Sequence, residues 1–181
     1  MASFSPIAIR QRKRPPVLAS MLKPDAPQVG TVFLQNAYLT RNDPDGIIKP
    51  GMIKAIRVIA LGVQPRANRT ACSLQVGVEI PKKVLGTLPV DEHGAAYFKA
   101  PAGTSMQIQT LDENGMAILT EKSLFYLQPG ENRSCVGCHE PEGSSPRASE
   151  MGQMGRLQPA DLIPAAGPQY PGGLSFMRTV Q

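Results

Sequence analysis

Three observations predict an all-β fold, an immunoglobulin-like β-sandwich. Glycine and proline number 17 and 18 among 181 residues, a high share that favours turns and loops over long helices. Short runs rich in β-branched and aromatic residues recur at close spacing, and glycine-containing turns separate them. Sustained helical periodicity is nearly absent. A chain of this length has room for one hydrophobic core of ordinary size.

Residues 1–29 are expected to form an extended lead-in before the sandwich. They are rich in proline and contain a basic run from Arg10 to Arg14, which holds much of the net charge of +5. Such a run is more often a solvated tail than a binding surface. Aromatic residues interleaved with a basic face and a zinc-finger pattern are both missing, so no nucleic-acid partner is expected.

The first two strands are predicted at 31–39 and 53–61. The first is rich in β-branched and aromatic residues and lies between Gly30 and the turn cluster 42–46. The second follows a proline-glycine pair, and its isoleucine and valine content favours a strand over a helix.

A third strand is predicted at 72–80, where apolar residues occupy every second position. This alternation places Cys72 on the apolar face. We therefore expect Cys72 to be a small buried hydrophobic residue rather than a metal ligand.

The remaining predicted strands are shorter and closely spaced. They are expected at 84–90, 95–100, 105–111, 116–119 and 123–127. The turns that separate the first four of them, at 91–94, 101–103 and 112–115, all contain glycine. The sandwich is accordingly predicted to span residues 30–130.

One motif carries a specific chemistry, Cys135-Val136-Gly137-Cys138-His139. The C-x-x-C-H pattern is typical of covalent haem c attachment. Cys135 and Cys138 can each add to a vinyl group of the same porphyrin, and His139 directly follows them, placed to bind the iron. We expect one covalent haem c with His139 as the proximal iron ligand. Its attachment segment, 131–146, is expected to be rich in loops and to lie at the C-terminal side of the sandwich.

The second axial ligand of the iron is left open by the sequence. His93, in the predicted turn, is the only other histidine and is one candidate distal ligand. The eight methionines offer thioether ligands, and four of them are candidates, although a methionine on a strand usually packs in a core. They are Met106, Met116, Met151 and Met154. An empty sixth position is an equal alternative, and it would permit small-molecule binding or redox chemistry.

Other interpretations of the two motif cysteines also stay open. A structural zinc site needs four nitrogen or sulfur ligands, and the only other cysteine is far upstream. A thioredoxin-like pair needs a βαβ setting, and a disulfide from Cys135 to Cys138 closes too small a loop to stabilise much. The alternative function is a non-enzymatic β-sandwich interaction module. In it these two cysteines would bind zinc, remain free thiols or form a disulfide with each other.

Haem c is attached after export, so the motif raises the question of an export signal or a membrane span. No apolar stretch approaches the roughly 20 residues that cross a bilayer, so no membrane span is expected. The N-terminal region also lacks the apolar run of a secretory signal, since charged residues and prolines interrupt it between Arg10 and Pro16. Two alternatives follow: this chain is one piece of a longer protein that is periplasmic or otherwise exported, or the haem is never attached. Residues 147–181 are expected to be an irregular tail or a linker to a following domain, with at most a helical turn at 157–163.

A likeness to a known family rests on five segments. They are 30–35, 84–90, 97–103, 111–115 and 127–140. Together they resemble the haem-binding middle domain of proteins related to the hydrazine synthase alpha subunit. The likeness covers roughly residues 15–181, and its most specific block runs from Tyr126 to Pro141.

The resemblance implies a larger protein around this chain. In that family a β-propeller precedes the domain and a second C-x-x-C-H domain commonly follows it, so these domains or a separate redox protein are the expected partners. In hydrazine synthase a tyrosine four residues after the motif histidine binds the haem iron, and the histidine turns towards zinc. That position here is Gly143, so neither hydrazine synthesis nor zinc is expected. Electron transfer, or service as the haem domain of an oxidoreductase, is expected instead, and the sequence identifies no catalytic residues.

Overall fold

The computed structural model describes residues 25–62, 82–121, 123–141 and 158–165, with isolated positions at 10, 11, 13, 14, 16, 143 and 145. This part of the chain contains seven strands and no helix, which confirms the predicted all-β sandwich. The strands are β1 (Val29–Asn36), β2 (Ala55–Leu61), β3 (Lys82–Pro89), β4 (Ala96–Pro101), β5 (Met106–Leu111), β6 (Ala117–Thr120) and β7 (Asn132–Gly137). The strand predicted at 72–80, with Cys72, lies outside the described residues.

The strands form two sheets, with strand orders β4-β1-β7 and β3-β2-β5-β6. In the first sheet, β1 pairs antiparallel with β4 and parallel with β7. In the second, β2 pairs antiparallel with both β3 and β5, and β5 pairs antiparallel with β6. The strand that carries the first motif cysteine, β7, is thereby held beside the first strand of the sandwich.

The core lies between the two sheets and draws on both of them. Val32 and Leu34 of β1, together with Phe98 of β4, are almost completely buried from the first sheet. Ile56 and Val58 of β2 are buried from the second. Because burying each such side chain stabilises the fold by about 1.5–3 kcal/mol, this shared cluster supplies much of the stability that holds β7 in place.

Two of the predicted turns have the same construction. In each, an aspartate side chain, Asp91 or Asp112, accepts hydrogen bonds of 2.7–2.9 Å from the backbone N–H groups two and four positions further on. The glycine of each turn, Gly94 or Gly115, has a φ of +79° or +75°, a conformation that favours glycine. Both predicted turns are confirmed.

Two predictions about the motif side of the sandwich are wrong. The residues around Cys135 are not a loop-rich segment, because 132–137 form strand β7. Conversely, 123–127 is not a strand. Only Phe125 pairs there, through two backbone hydrogen bonds with Met106 beyond the end of β6.

Residues 158–165 are extended, and no helical turn occurs there. Ala160 bridges to Phe98 of β4, and Ile163 bridges to Thr87 of β3, so this segment lies against the edges of both sheets. Among the described residues no helix is long and apolar enough to span a membrane.

Candidate functional site

The motif residues line a cavity of about 490 Å³ at the end of β7, which is the candidate site. This volume falls within the range of about 300–1,000 Å³ that is usual for ligand pockets. Its apolar walls come from both sheets and from the segment that follows β6, and its polar groups come mainly from the motif. The lining residues are Leu34, Arg41, Ile108, Glu121, Ser123, Leu124, Phe125, Arg133, Cys135, Gly137, Cys138, His139, Glu140, Pro141 and Gly143.

Strand β7 brings the two cysteines to this cavity. Cys135 lies opposite Leu34 in the parallel register with β1 and packs against the core cluster. Cys138 follows the end of the strand and is 6% exposed. Both are thiols in the structure, and both line the cavity.

The backbone around the motif is fixed by the loop that follows β1. Gly137 lies so close to this loop that a Cβ atom at its position would overlap the carbonyl oxygen of Leu39. His139 has a φ of +61°, the left-handed conformation, which non-glycine residues seldom adopt. Its carbonyl oxygen accepts a hydrogen bond of 3.0 Å from the backbone N–H of Arg41. Residues 39–41 therefore set the direction in which the His139 side chain points.

Both ring nitrogens of His139 have partners. Nδ1 lies 2.8 Å from Oε2 of Glu121, and Nε2 lies 2.7 Å from Nη2 of Arg41. A guanidinium can only donate and a carboxylate can only accept. We therefore assign the proton to Nδ1 and the lone pair to Nε2, which is the arrangement of a neutral imidazole that binds a metal through Nε2.

Glu121 is a site residue that the sequence analysis missed. It directly follows β6, and its backbone N–H donates to the carbonyl of Ile108 at 2.9 Å. Its second oxygen, Oε1, accepts a hydrogen bond of 2.8 Å from the backbone N–H of Ser123. Eighteen positions separate Glu121 from His139, and no local pattern connects a glutamate at a strand end with such a motif, so only the fold reveals the contact.

The electrostatic setting keeps both cysteines protonated. Burial raises the pKa of Cys138 to about 12, and the carboxylate of Glu121 adds to the effect. Burial also raises the pKa of Cys135, and Glu140 contributes in the same direction. Cysteines that act in thiol–disulfide exchange have lowered pKa values, so this environment is the opposite of a thioredoxin-like one.

The three motif residues predicted to bind haem line one cavity, whereas the distal candidates that the structure describes, His93, Met106 and Met116, do not line it. The His93 side chain is 75% exposed, lies 3.5 Å from the Glu92 carboxylate and borders a second, smaller cavity. Met106 is completely buried in the core, and Met116 is exposed at the end of its turn. Met151 and Met154 lie outside the described residues. No described histidine or methionine other than His139 lines the motif cavity.

The donor groups of the cavity fit a haem better than they fit zinc. Two thiols and a neutral imidazole at one mostly apolar cavity are the groups that covalent haem attachment uses. Within the described ranges, no cluster of three or more histidine, cysteine, aspartate or glutamate side chains is arranged to hold a metal ion. The zinc interpretation of the cysteines thus gains no support from this part of the chain.

Comparisons with known proteins relate the chain to one family. Residues 51–140 match the family model of the hydrazine synthase alpha subunit middle domain, and the match ends directly after the C-x-x-C-H motif. Among solved structures, Kuenenia stuttgartiensis hydrazine synthase is similar, with a TM-score of 0.54 and 23% identity over 70% of this chain. The likeness extends over 20% of the hydrazine synthase chain, so this chain spans about one fifth of its length. At 23% identity the structural likeness shows a shared fold and does not extend to activity. No curated protein matches the chain.

Proposed function

We propose that this chain is a module that carries one covalently attached haem c, with Cys135 and Cys138 as the attachment residues and His139 as the proximal iron ligand. The observation that carries the proposal is the convergence of these three side chains on one cavity of about 490 Å³. Both cysteines are free thiols, as thioether formation needs, and the Nδ1–H form of the imidazole leaves the lone pair on Nε2, the nitrogen that would bind iron.

Attachment needs no oxidant. Each thiol would add across one vinyl double bond, with the sulfur joining one carbon and a hydrogen joining the other. A haem bound in this way would supply a one-electron ferric–ferrous couple. Arg41 must leave Nε2 of His139 before that nitrogen can bind iron, because one lone pair cannot serve a hydrogen bond and a metal at once.

We further propose that this module belongs to an exported protein of several domains. There it transfers electrons or serves as the haem domain of a redox enzyme. The match to the hydrazine synthase alpha subunit middle domain supports a multidomain setting, with a propeller, a second haem domain or a redox protein as partner. Hydrazine synthesis itself is not part of the proposal, because Gly143 offers no side chain to the iron.

The test is expression of the chain in a periplasm that has a cytochrome c maturation system. We expect a red protein with a Soret band, whose haem remains attached after denaturation. Replacing both motif cysteines, Cys135→Ala with Cys138→Ala, should abolish the colour and reduce the free energy of unfolding of the haem-free protein by only about 1–2 kcal/mol. The matched control is Cys72→Ala, which should leave the colour intact.

A colourless wild-type protein in which Cys135 and Cys138 still titrate as free thiols would rule out the proposal. The alternative, a non-enzymatic interaction module, predicts that result. If these cysteines bound zinc instead, the double variant would lose metal and much of its stability.

A further inference from the structure

We infer that Glu121 is a positioning residue for the proximal ligand, which holds His139 in the iron-binding tautomer and lowers the reduction potential of the iron. The inference rests on the proposed haem function and extends it to a residue outside the C-x-x-C-H motif. It assigns the carboxylate a specific task, which is to bind the Nδ1–H group of His139.

The first support is the contact itself. Oε2 of Glu121 lies 2.8 Å from Nδ1 of His139, a distance typical of a charge-assisted hydrogen bond. The two side chains are 14% and 23% exposed, so water competes weakly for the pair. In metal sites, histidine ligands regularly donate their second N–H group to a carboxylate, which fixes the ring and increases the basicity of the metal-bound nitrogen.

The second support is that the carboxylate is itself held in place. The backbone N–H of Ser123 donates to Oε1 of Glu121 at 2.8 Å, while the N–H of Glu121 donates to Ile108 of β5. Each carboxylate oxygen of Glu121 therefore has its own donor, and the backbone of Glu121 is hydrogen-bonded to β5. These two hydrogen bonds keep the carboxylate in the orientation that reaches Nδ1 of His139.

The third support is the arrangement of charge around the ring. Arg41 lies at Nε2 and Glu121 lies at Nδ1, so the imidazole is placed between a cation and an anion. If Nε2 bound iron in place of Arg41, Glu121 could still hold the Nδ1–H group, because it lies on the opposite side of the ring. Its negative charge would make the imidazole a stronger donor, which would favour ferric over ferrous iron.

The experiment compares the reduction potentials of the wild-type holoprotein and its Glu121→Gln variant. Glutamine keeps the size of the side chain and an acceptor oxygen but removes the charge. We expect haem to attach normally and the potential to rise. Loss of outer-shell partners commonly changes metal affinity about 10–100-fold. A tenfold loss in the preference for ferric iron corresponds to about 59 mV for a one-electron couple.

The matched control is Glu140→Gln, which removes one carboxylate from the lining of the same cavity while Glu121 stays on Nδ1. This variant measures the general effect of losing a negative charge near the iron, and its shift should be clearly smaller. A distant control is Glu113→Gln, in an exposed turn, which should leave the potential unchanged.

A second measurement covers the case in which Glu121→Gln fails to fold. Nitrogen NMR of the wild-type haem-free protein should show His139 with its proton on Nδ1. A wild-type protein with the proton on Nε2 would overturn the inference.

The outcomes also separate this inference from the proposed function. If the wild-type protein holds no haem, both the proposed haem function and the role of Glu121 are rejected. If the wild-type protein is coloured but Glu121→Gln has an unchanged potential, or one shifted no more than that of Glu140→Gln, the haem function stands and the role of Glu121 is rejected.

Discussion

At the scale of single residues, the environment of Cys138 has a consequence for stability that is independent of any cofactor. Its side chain is buried next to Glu121, and burial raises its pKa to about 12 from an ordinary value of 9.0. In the unfolded chain the thiol ionises near the ordinary value. The folded state therefore binds a proton that the unfolded state releases between about pH 9 and pH 12.

We predict that the haem-free protein loses stability as the pH rises above about 9, and that Cys138→Ala loses less. The stabilisation from the protonated thiol is fully present below the pKa of the unfolded state and disappears as the pH approaches the pKa of the folded state. It amounts to at most about 4 kcal/mol, since one unit of pKa corresponds to about 1.4 kcal/mol.

Urea unfolding of both proteins at several pH values measures this difference. Because the variant retains every other titrating group, the gap between the two pH dependences reports on Cys138 and on its electrostatic interaction with Cys135. Identical slopes in the two proteins would contradict the prediction.

The site residues differ in how far the sequence could reveal them. Cys135, Cys138 and His139 belong to one short motif whose spacing predicts haem attachment, and the structure places all three on one cavity. Glu121 and Arg41 reach the same imidazole from 18 and 98 positions upstream, through contacts that exist only once the sheets have assembled. Long-range contacts of this kind leave no periodicity or spacing in a single sequence.

At the scale of elements, β7 illustrates how tertiary pairing overrides local preference. The strand contains a single β-branched residue, Val136, and its sequence resembles a loop. Its partner β1 is parallel to it and lies about a hundred positions earlier, so no hairpin signal precedes it. By contrast, β1, β2 and β5 were predictable because β-branched residues or alternation mark them locally.

We predict that Gly137→Ala destabilises the protein by about 3 kcal/mol, because the added Cβ atom overlaps the backbone of Leu39. A backbone atom cannot move away as the end of a flexible side chain can. The change should displace the end of β7 and with it the direction of His139. The measurements are the free energy of unfolding and, in the holoprotein, the yield of attached haem.

The control for this substitution is Gly103→Ala. Gly103 has a φ of +67° and open space around its Cβ position, so alanine there adds backbone strain of about 1 kcal/mol without a steric overlap. Equal losses of stability in the two variants would show that the close approach to Leu39 is unimportant.

At the scale of the whole molecule, the two sheets share one core, and the motif depends on both of them. Cys135 packs against the same buried cluster that contains Ile56 and Val58 of the sheet that lacks the motif. The sandwich class was predictable from the succession of short strands and turns. The assignment of each strand to one of the two sheets was not predictable from the sequence, because it depends on which strand faces pack together in the core.

We predict that Ile56→Ala reduces the free energy of unfolding by about 2–5 kcal/mol, because it leaves a cavity in the shared core. In denaturant, the haem-free protein should lose β structure and expose Cys138 to alkylation in one coincident transition. The control is Ile47→Ala, which changes a residue that is 68% exposed and should alter stability by less than about 0.5 kcal/mol. Alkylation well before the loss of β structure would instead indicate that the motif strand unfolds alone.

The parallel pairing of β1 with β7 also sets an order of events during biogenesis. Thr31 and Asn132, neighbours across these strands, are 101 positions apart in the chain. Pairings this distant form late, because the intervening polypeptide must first be brought together. In a newly made chain both sulfurs are thus open to solvent until the last strand docks, and are enclosed afterwards. Under the proposed haem attachment, maturation enzymes would have their widest access during that interval, so slower folding is expected to increase the fraction of molecules that carry the prosthetic group.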